Sequence, residues 1–139
     1  MAKLKLRMLE TDKIETNQRR LADAFSVFRQ AHIGRTILLD AHSVIDANND
    51  LVIVPTEVIE RLGLRQIIFV RDKPGVIATR RQRDMSRMRP TRSIAEISIH
   101  QNLALDQCQE YAVRLRIPLN LVSAGDAPGL EIAARLGRA

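Results

Sequence analysis

Cysteine occurs once in the chain, at Cys108, so no internal disulfide can staple the fold. Histidine occurs three times, at His32, His42 and His100, with none of the spacings that a metal site requires. Tryptophan is absent, and the four aromatics are Phe25, Phe28, Phe69 and Tyr111. No stretch approaches the roughly 20 apolar residues of a membrane span, and Met1 to Met8 has no apolar signal core. These absences exclude a disulfide scaffold, a metal-folded domain and a membrane partner, and they lead us to expect a reducing, cytoplasmic home. What remains is 139 residues, 45% hydrophobic, the size and composition of one globular domain spanning residues 1–139.

The charge is unevenly placed. Of 22 basic residues, all but Lys3, Lys5, Lys13 and Lys73 are arginine, which favours forked recognition of phosphate over a diffuse cationic coat. Arg71, Arg80, Arg81, Arg83, Arg87, Arg89, Arg92 and Lys73 crowd into residues 71–92, against only Asp72 and Asp84. That segment carries the whole formal net charge of +6, and the rest of the chain is balanced. Such a concentration steers polyanions toward one place, whereas a merely solvated surface intersperses its signs.

Periodicity places the segment among alternating elements. Leu21, Ala24, Phe25 and Phe28 recur at helical spacing after a candidate N-cap, Thr16, which predicts an amphipathic helix with a core face, ending before Gly34. Arg35 to Leu39 reads as a short buried strand closing at Asp40. Residues 42–46 and 51–54 flank a turn cluster and predict a hairpin, followed by a helix over 56–62 that Gly63 closes. Residues 66–70 predict a second buried strand, and the turn 71–75 leads into an arginine-covered helix running to Pro90. Ser93 and Glu96 form a capping box for a long helix toward Arg116. Residues 119–122 predict a third strand, and residues 128–136 a last helix. Strands alternating with helices imply α/β architecture with a parallel sheet.

Three sets of residues could carry chemistry. Arg80, Arg83, Asp84 and Arg87 fall at i, i+3, i+4 and i+7, one face of a helix, with Arg89 following. Guanidinium groups gathered on one side can share the charge of a transferring phosphoryl group, and Asp84 is placed to hold one of them. Nucleic-acid backbone needs the same charge, but every aromatic lies outside this window, leaving no stacking platform for bases. Asp40 and His42 stand two apart beyond a strand end, where they could orient a metal-bound water or close a turn. Cys108, in a helix of mixed polarity, reads as a buried structural thiol.

The chain resembles the archaeal-type adenylate kinases of the P-loop nucleoside-monophosphate kinase group, from about Thr16 to Val122. The resemblance rests on Asn17-Gln18 in the first helix, on Leu-Leu-Asp40-Ala-His42 as the family's D-x-H strand, and on the string from Arg80 to Arg89 as its R-R-x-R-D-x-x-R-x-R lid. Ile99-His-Gln101 and Tyr111-Ala112 also look like the helix after that lid. The resemblance implies binding of ATP with magnesium. It implies Arg83 and Arg87 as catalytic contacts to phosphate, Arg80, Arg81 and Arg89 as further phosphate ligands, Asp40 near the magnesium waters and His42 at the second motif position. It implies a three-layer sheet flanked by helices, with residues 71–92 as an arginine-rich lid.

The departure from that family is its phosphate loop, G-x-x-x-x-G-K-S/T, because none of the four lysines follows a glycine. The family's loop-bearing strand is central, hence apolar on both faces, whereas Lys3 to Leu9 alternates basic and apolar residues. Inserting it there would bury Lys3, Lys5 and Arg7 at a cost on the order of several kcal/mol each. The expectation is therefore a single incomplete nucleotide-kinase-like domain, the C-terminal portion without its central strand. It would bind nucleotides and transfer phosphoryl groups only if the loop is supplied. The alternatives are a non-catalytic module for nucleic acid or another polyanion, and a degenerate subunit that pairs with itself or with a kinase-like partner chain through a sheet edge.

Overall fold

The computed structural model describes residues 11–47, 50–84, 91–125 and 128–136. The fold is mixed α/β and divides into two compact units, one ending at Gly63 and the other beginning at Leu64.

In the first unit, α1 (Thr11–Ala31) is followed by the antiparallel hairpin β1 (Val44–Ala47) and β2 (Asp50–Ile53), then by α2 (Thr56–Arg61). The hairpin and the short helix follow the sequence reading, and Gly63 takes φ +61° just beyond α2, as a helix-closing glycine does. Val44 and Val52 in the hairpin, and Val58, Ile59 and Leu62 around α2, are buried. α1 is helical from Thr11, upstream of the candidate cap Thr16, and the buried residues among those described on it are Ile14 and Ala22. The apolar stripe expected to face the core lies largely in solvent, with Leu21 and Phe28 about half exposed. Ile14 and Ala22 lie eight apart, on one side of the helix, and α1 packs against α2. The Arg29 Nη1 group donates to the Leu62 carbonyl at 3.0 Å, and Arg61 pairs with Asp23, so polar bonds also tie α1 to the end of α2.

Residues 35–39, expected as a buried strand closing at Asp40, form no strand, and Leu38 is 66% exposed. A β-branched apolar run supplies propensity, but a strand exists only when a neighbour completes its ladder, and no described residue pairs with this segment.

In the second unit, β3 (Ile67–Arg71) pairs in parallel with β4 (Leu119–Ser123), in the register Ile67 to Leu119 through Arg71 to Ser123. Between them run α3 (Pro74–Arg83) and α4 (Ile94–Leu115), and α5 (Pro128–Leu136) follows β4. Ser93 Oγ accepts from the Glu96 N–H at 3.1 Å, the expected cap. α4 ends on Arg116 in the left-handed conformation, two residues before Pro118. α4 packs on both strands, burying Ile97, Cys108, Tyr111 and Ala112, while Val122 is buried on β4. Two of the three expected strands thus form a parallel pair. The described residues hold two two-stranded sheets, one antiparallel and one parallel.

Tyr111 is 2% exposed. Burial, with added repulsion from Cys108 and Glu110, pushes its hydroxyl up from 10.0 to about 12. A raised acid favours the protonated, folded form, so its stabilisation is complete below pH 10 and is lost as pH rises through the folded-state value. Folding free energy should therefore fall by about 2–3 kcal/mol between pH 10 and pH 12. Urea titrations across that range check this, and a Tyr111→Phe variant should lose the tyrosine's part of the slope.

Candidate phosphate-binding site

The chain leaves β3 at Arg71, opposite Ser123, and the ladder extends one step further as the Ala124 N–H donates to the Arg71 carbonyl at 2.8 Å. Both parallel strands therefore end at the same edge, where α/β folds place their ligands. A cleft of about 590 Å³ lies there, lined by Arg71, Asp72, Lys73, Pro74, Val76, Gln101, Ser123 and Gly125. Pro74 opens α3, where its fixed φ and missing N–H cost nothing, and the first helical turn carries no acidic residue. The positive end of the helix dipole and two cationic side chains thus share one edge.

Asp72 is fixed at this edge by bonds to three partners. Its N–H donates to Gln101 Oε1 at 3.0 Å, and Gln101 Nε2 donates back to its carbonyl at 2.9 Å. Its Oδ1 accepts from the Lys73 N–H at 2.8 Å, and its Oδ2 accepts from Arg80 Nη2 at 2.5 Å. Arg80 lies two turns into α3 and reaches back toward the N-terminus, the direction in which helical side chains lean.

The last turn of α3 carries Arg80, Arg81 and Arg83. Arg80 and Arg83, three apart, share a face and are exposed, while Arg81 is half-buried and about 100° round the helix. The helix stops there, short of the run to Pro90 that the spacing predicts. Asp84 is its C-terminal cap, with ψ 90° and its N–H donating to the Arg80 carbonyl. The helical face drawn from Arg80 to Arg87 is therefore interrupted at Asp84. Arg87 and Arg89 lie outside the described residues. Asp40 and His42 stand exposed in the irregular segment leading into β1, in the first unit. The carboxylate seated on Arg80 is Asp72. Gln101 belongs to the Ile99-His-Gln101 string that resembles the helix after the lid, but nothing in the sequence pairs it with Asp72, because a glutamine 29 residues along the chain becomes a neighbour only when α4 returns to β3.

Compared with known families, residues 1–98 match the family described as AAA domain, a P-loop NTPase-like family of kinase type, over well more than half of the chain. The chain belongs to this family. No curated protein matches the AAA-type chain. P-loop families generally bind nucleotide together with magnesium. The edge described here meets the phosphate part of such a ligand with Arg71 and Lys73 in the cleft lining and Arg80 reaching back toward it, side chains that offer only N–H donors, beside the Asp72 carboxylate. Among the described residues no group of three His, Cys, Asp or Glu side chains could hold a metal ion by itself. Magnesium commonly binds through nucleotide phosphates with few protein ligands, so this donor set is consistent with an ion carried on the nucleotide.

Proposed function

We propose that the AAA-type chain is an adenylate-kinase-like protein that binds ATP and nucleoside monophosphates. Arg80, Arg81, Arg83, Arg87 and Arg89 contact the phosphates, with Arg83 and Arg87 sharing the charge of the group in transfer. Asp40 lies near the magnesium waters in this reading, and His42 occupies the second position of the D-x-H motif. The carrying observation is the last turn of α3, which carries Arg80, Arg81 and Arg83, on a helix that leaves a parallel strand edge. Phosphoryl transfer depends on a phosphate loop being supplied, since positioning and magnesium neutralisation perform most of the catalysis and the 139 residues hold no such loop. Nucleotides are the partners of this site, and the sheet architecture of the reading is the three-layer P-loop arrangement lacking its central strand.

Calorimetric titration with ATP, ADP and AMP tests this. Affinity should rise with phosphate number, and replacing Arg80, Arg81 and Arg83 together by alanine should weaken ATP binding at least tenfold, about 1.4 kcal/mol. Equal affinity in that variant, or no ATP binding by the parent chain, overturns the reading.

A second reading rests on the confinement of the net charge to residues 71–92. In it the chain is a non-catalytic module for nucleic acid or another polyanion, or a degenerate subunit of a kinase-like partner. Polyanion binding would fall steeply with salt, roughly one phosphate contact per unit of log-log slope, and would show no preference among mononucleotides.

A further inference from the structure

We propose that Asp72, anchored by Gln101, is the positioning residue that holds the Arg80 guanidinium ready for phosphate; the inference rests on the nucleotide reading above. Asp72 has a side chain only 16% exposed, and its own N–H and carbonyl are both held by one glutamine on α4. Its second carboxylate oxygen is occupied by the Lys73 N–H, so the oxygen offered to Arg80 has a fixed place and direction. Arg80 is 59% exposed in its side chain, and the Asp72 bond uses one corner of the fork. A guanidinium has five N–H donors, so a phosphate oxygen can be met by the others without breaking that bond. A long arginine side chain otherwise surrenders its rotamer freedom when a ligand arrives, and an arm already immobilised has less to lose. Gln101, itself part of the cleft lining, thereby acts on Arg80 through a carboxylate at the strand end.

Two roles for Asp72 predict opposite signs. If the carboxylate merely offsets the charge of Arg80, removing its charge makes the site more cationic and tightens the binding of ATP. If it positions Arg80, removing it weakens that binding. Asp72→Asn keeps the side chain's shape and its acceptor for the Lys73 N–H. ATP titrations should show binding about fivefold weaker in Asp72→Asn, the scale of immobilising one long side chain. In an Arg80→Ala background the same change should have no effect, and Gln101→Leu should weaken ATP binding in the parent chain.

A readout without nucleotide accompanies these. Rotation of the Arg80 guanidinium, seen by NMR of its nitrogen-bound protons, should be slowed in the parent chain and freed in both Asp72→Asn and Gln101→Leu. ATP binding that is unchanged or tighter in Asp72→Asn, or an equal loss in the Arg80→Ala background, overturns the positioning role while leaving the nucleotide reading standing. A parent chain with a restrained Arg80 but no affinity for ATP overturns the nucleotide reading, and the phosphate role of Asp72 with it.

Discussion

Replacing Tyr111 by alanine should destabilise the second unit by about 3–5 kcal/mol, the range for removing a large aromatic from a packed core. Tyr111 is among the largest fully buried side chains, and its helix α4 is the element that packs against both β3 and β4. The buried residues nearest it along α4, Cys108 and Ala112, are small. A domain of this size is stable by only about 5–15 kcal/mol, so the loss amounts to about a fifth or more of the whole. Urea unfolding followed by circular dichroism measures it. A cost below 1 kcal/mol would mean that α4 is held to the strands by something other than this contact.

Gly63→Val should be the next most severe change, at about 3 kcal/mol. Gly63 sits at φ +61°, where an L-residue costs roughly 1–2 kcal/mol and a β-branched one more. A Cβ at this position would also collide with the Arg29 guanidinium. Arg29 donates to the Leu62 carbonyl, so displacing it leaves that carbonyl without its partner, for roughly 1 kcal/mol more. Combining Gly63→Val with Arg29→Ala separates the two parts. The double variant should be destabilised by about 1 kcal/mol less than the sum of the single losses, because the collision is gone and the Arg29 to Leu62 bond is lost only once. Strict additivity would show that the cost belongs to the backbone alone.

Local chemistry was legible in the sequence and partnership was not. The capping box at Ser93 and Glu96, the glycine stop at Gly63, the hairpin around residues 48–49 and the proline entry to α3 each depend on residues within a few positions of one another. The strand over residues 35–39 failed because its propensity needed a neighbour that no short-range pattern can supply. The stripe of Leu21, Ala24, Phe25 and Phe28 is the most apolar row of α1, yet the helix buries Ile14 and Ala22 on another row. At the candidate site the basic residues were visible by count. Their arrangement was not, since helix α3 stops at Asp84 and since Arg80 is held by Asp72 and Gln101, eight and twenty-one positions away.

The parallel pairing of β3 with β4 also sets an order of assembly. The β1 and β2 hairpin can close as soon as its turn has been made, on the microsecond scale of such units. β3 must instead wait until residues 72–118 have been laid down before Leu119 arrives opposite Ile67. At synthesis rates of about 5–20 residues per second, that interval lasts roughly 2 to 10 s. Through it, β3 presents bare backbone to any passing strand, and its five-residue length and terminal arginine are the features that keep such encounters brief.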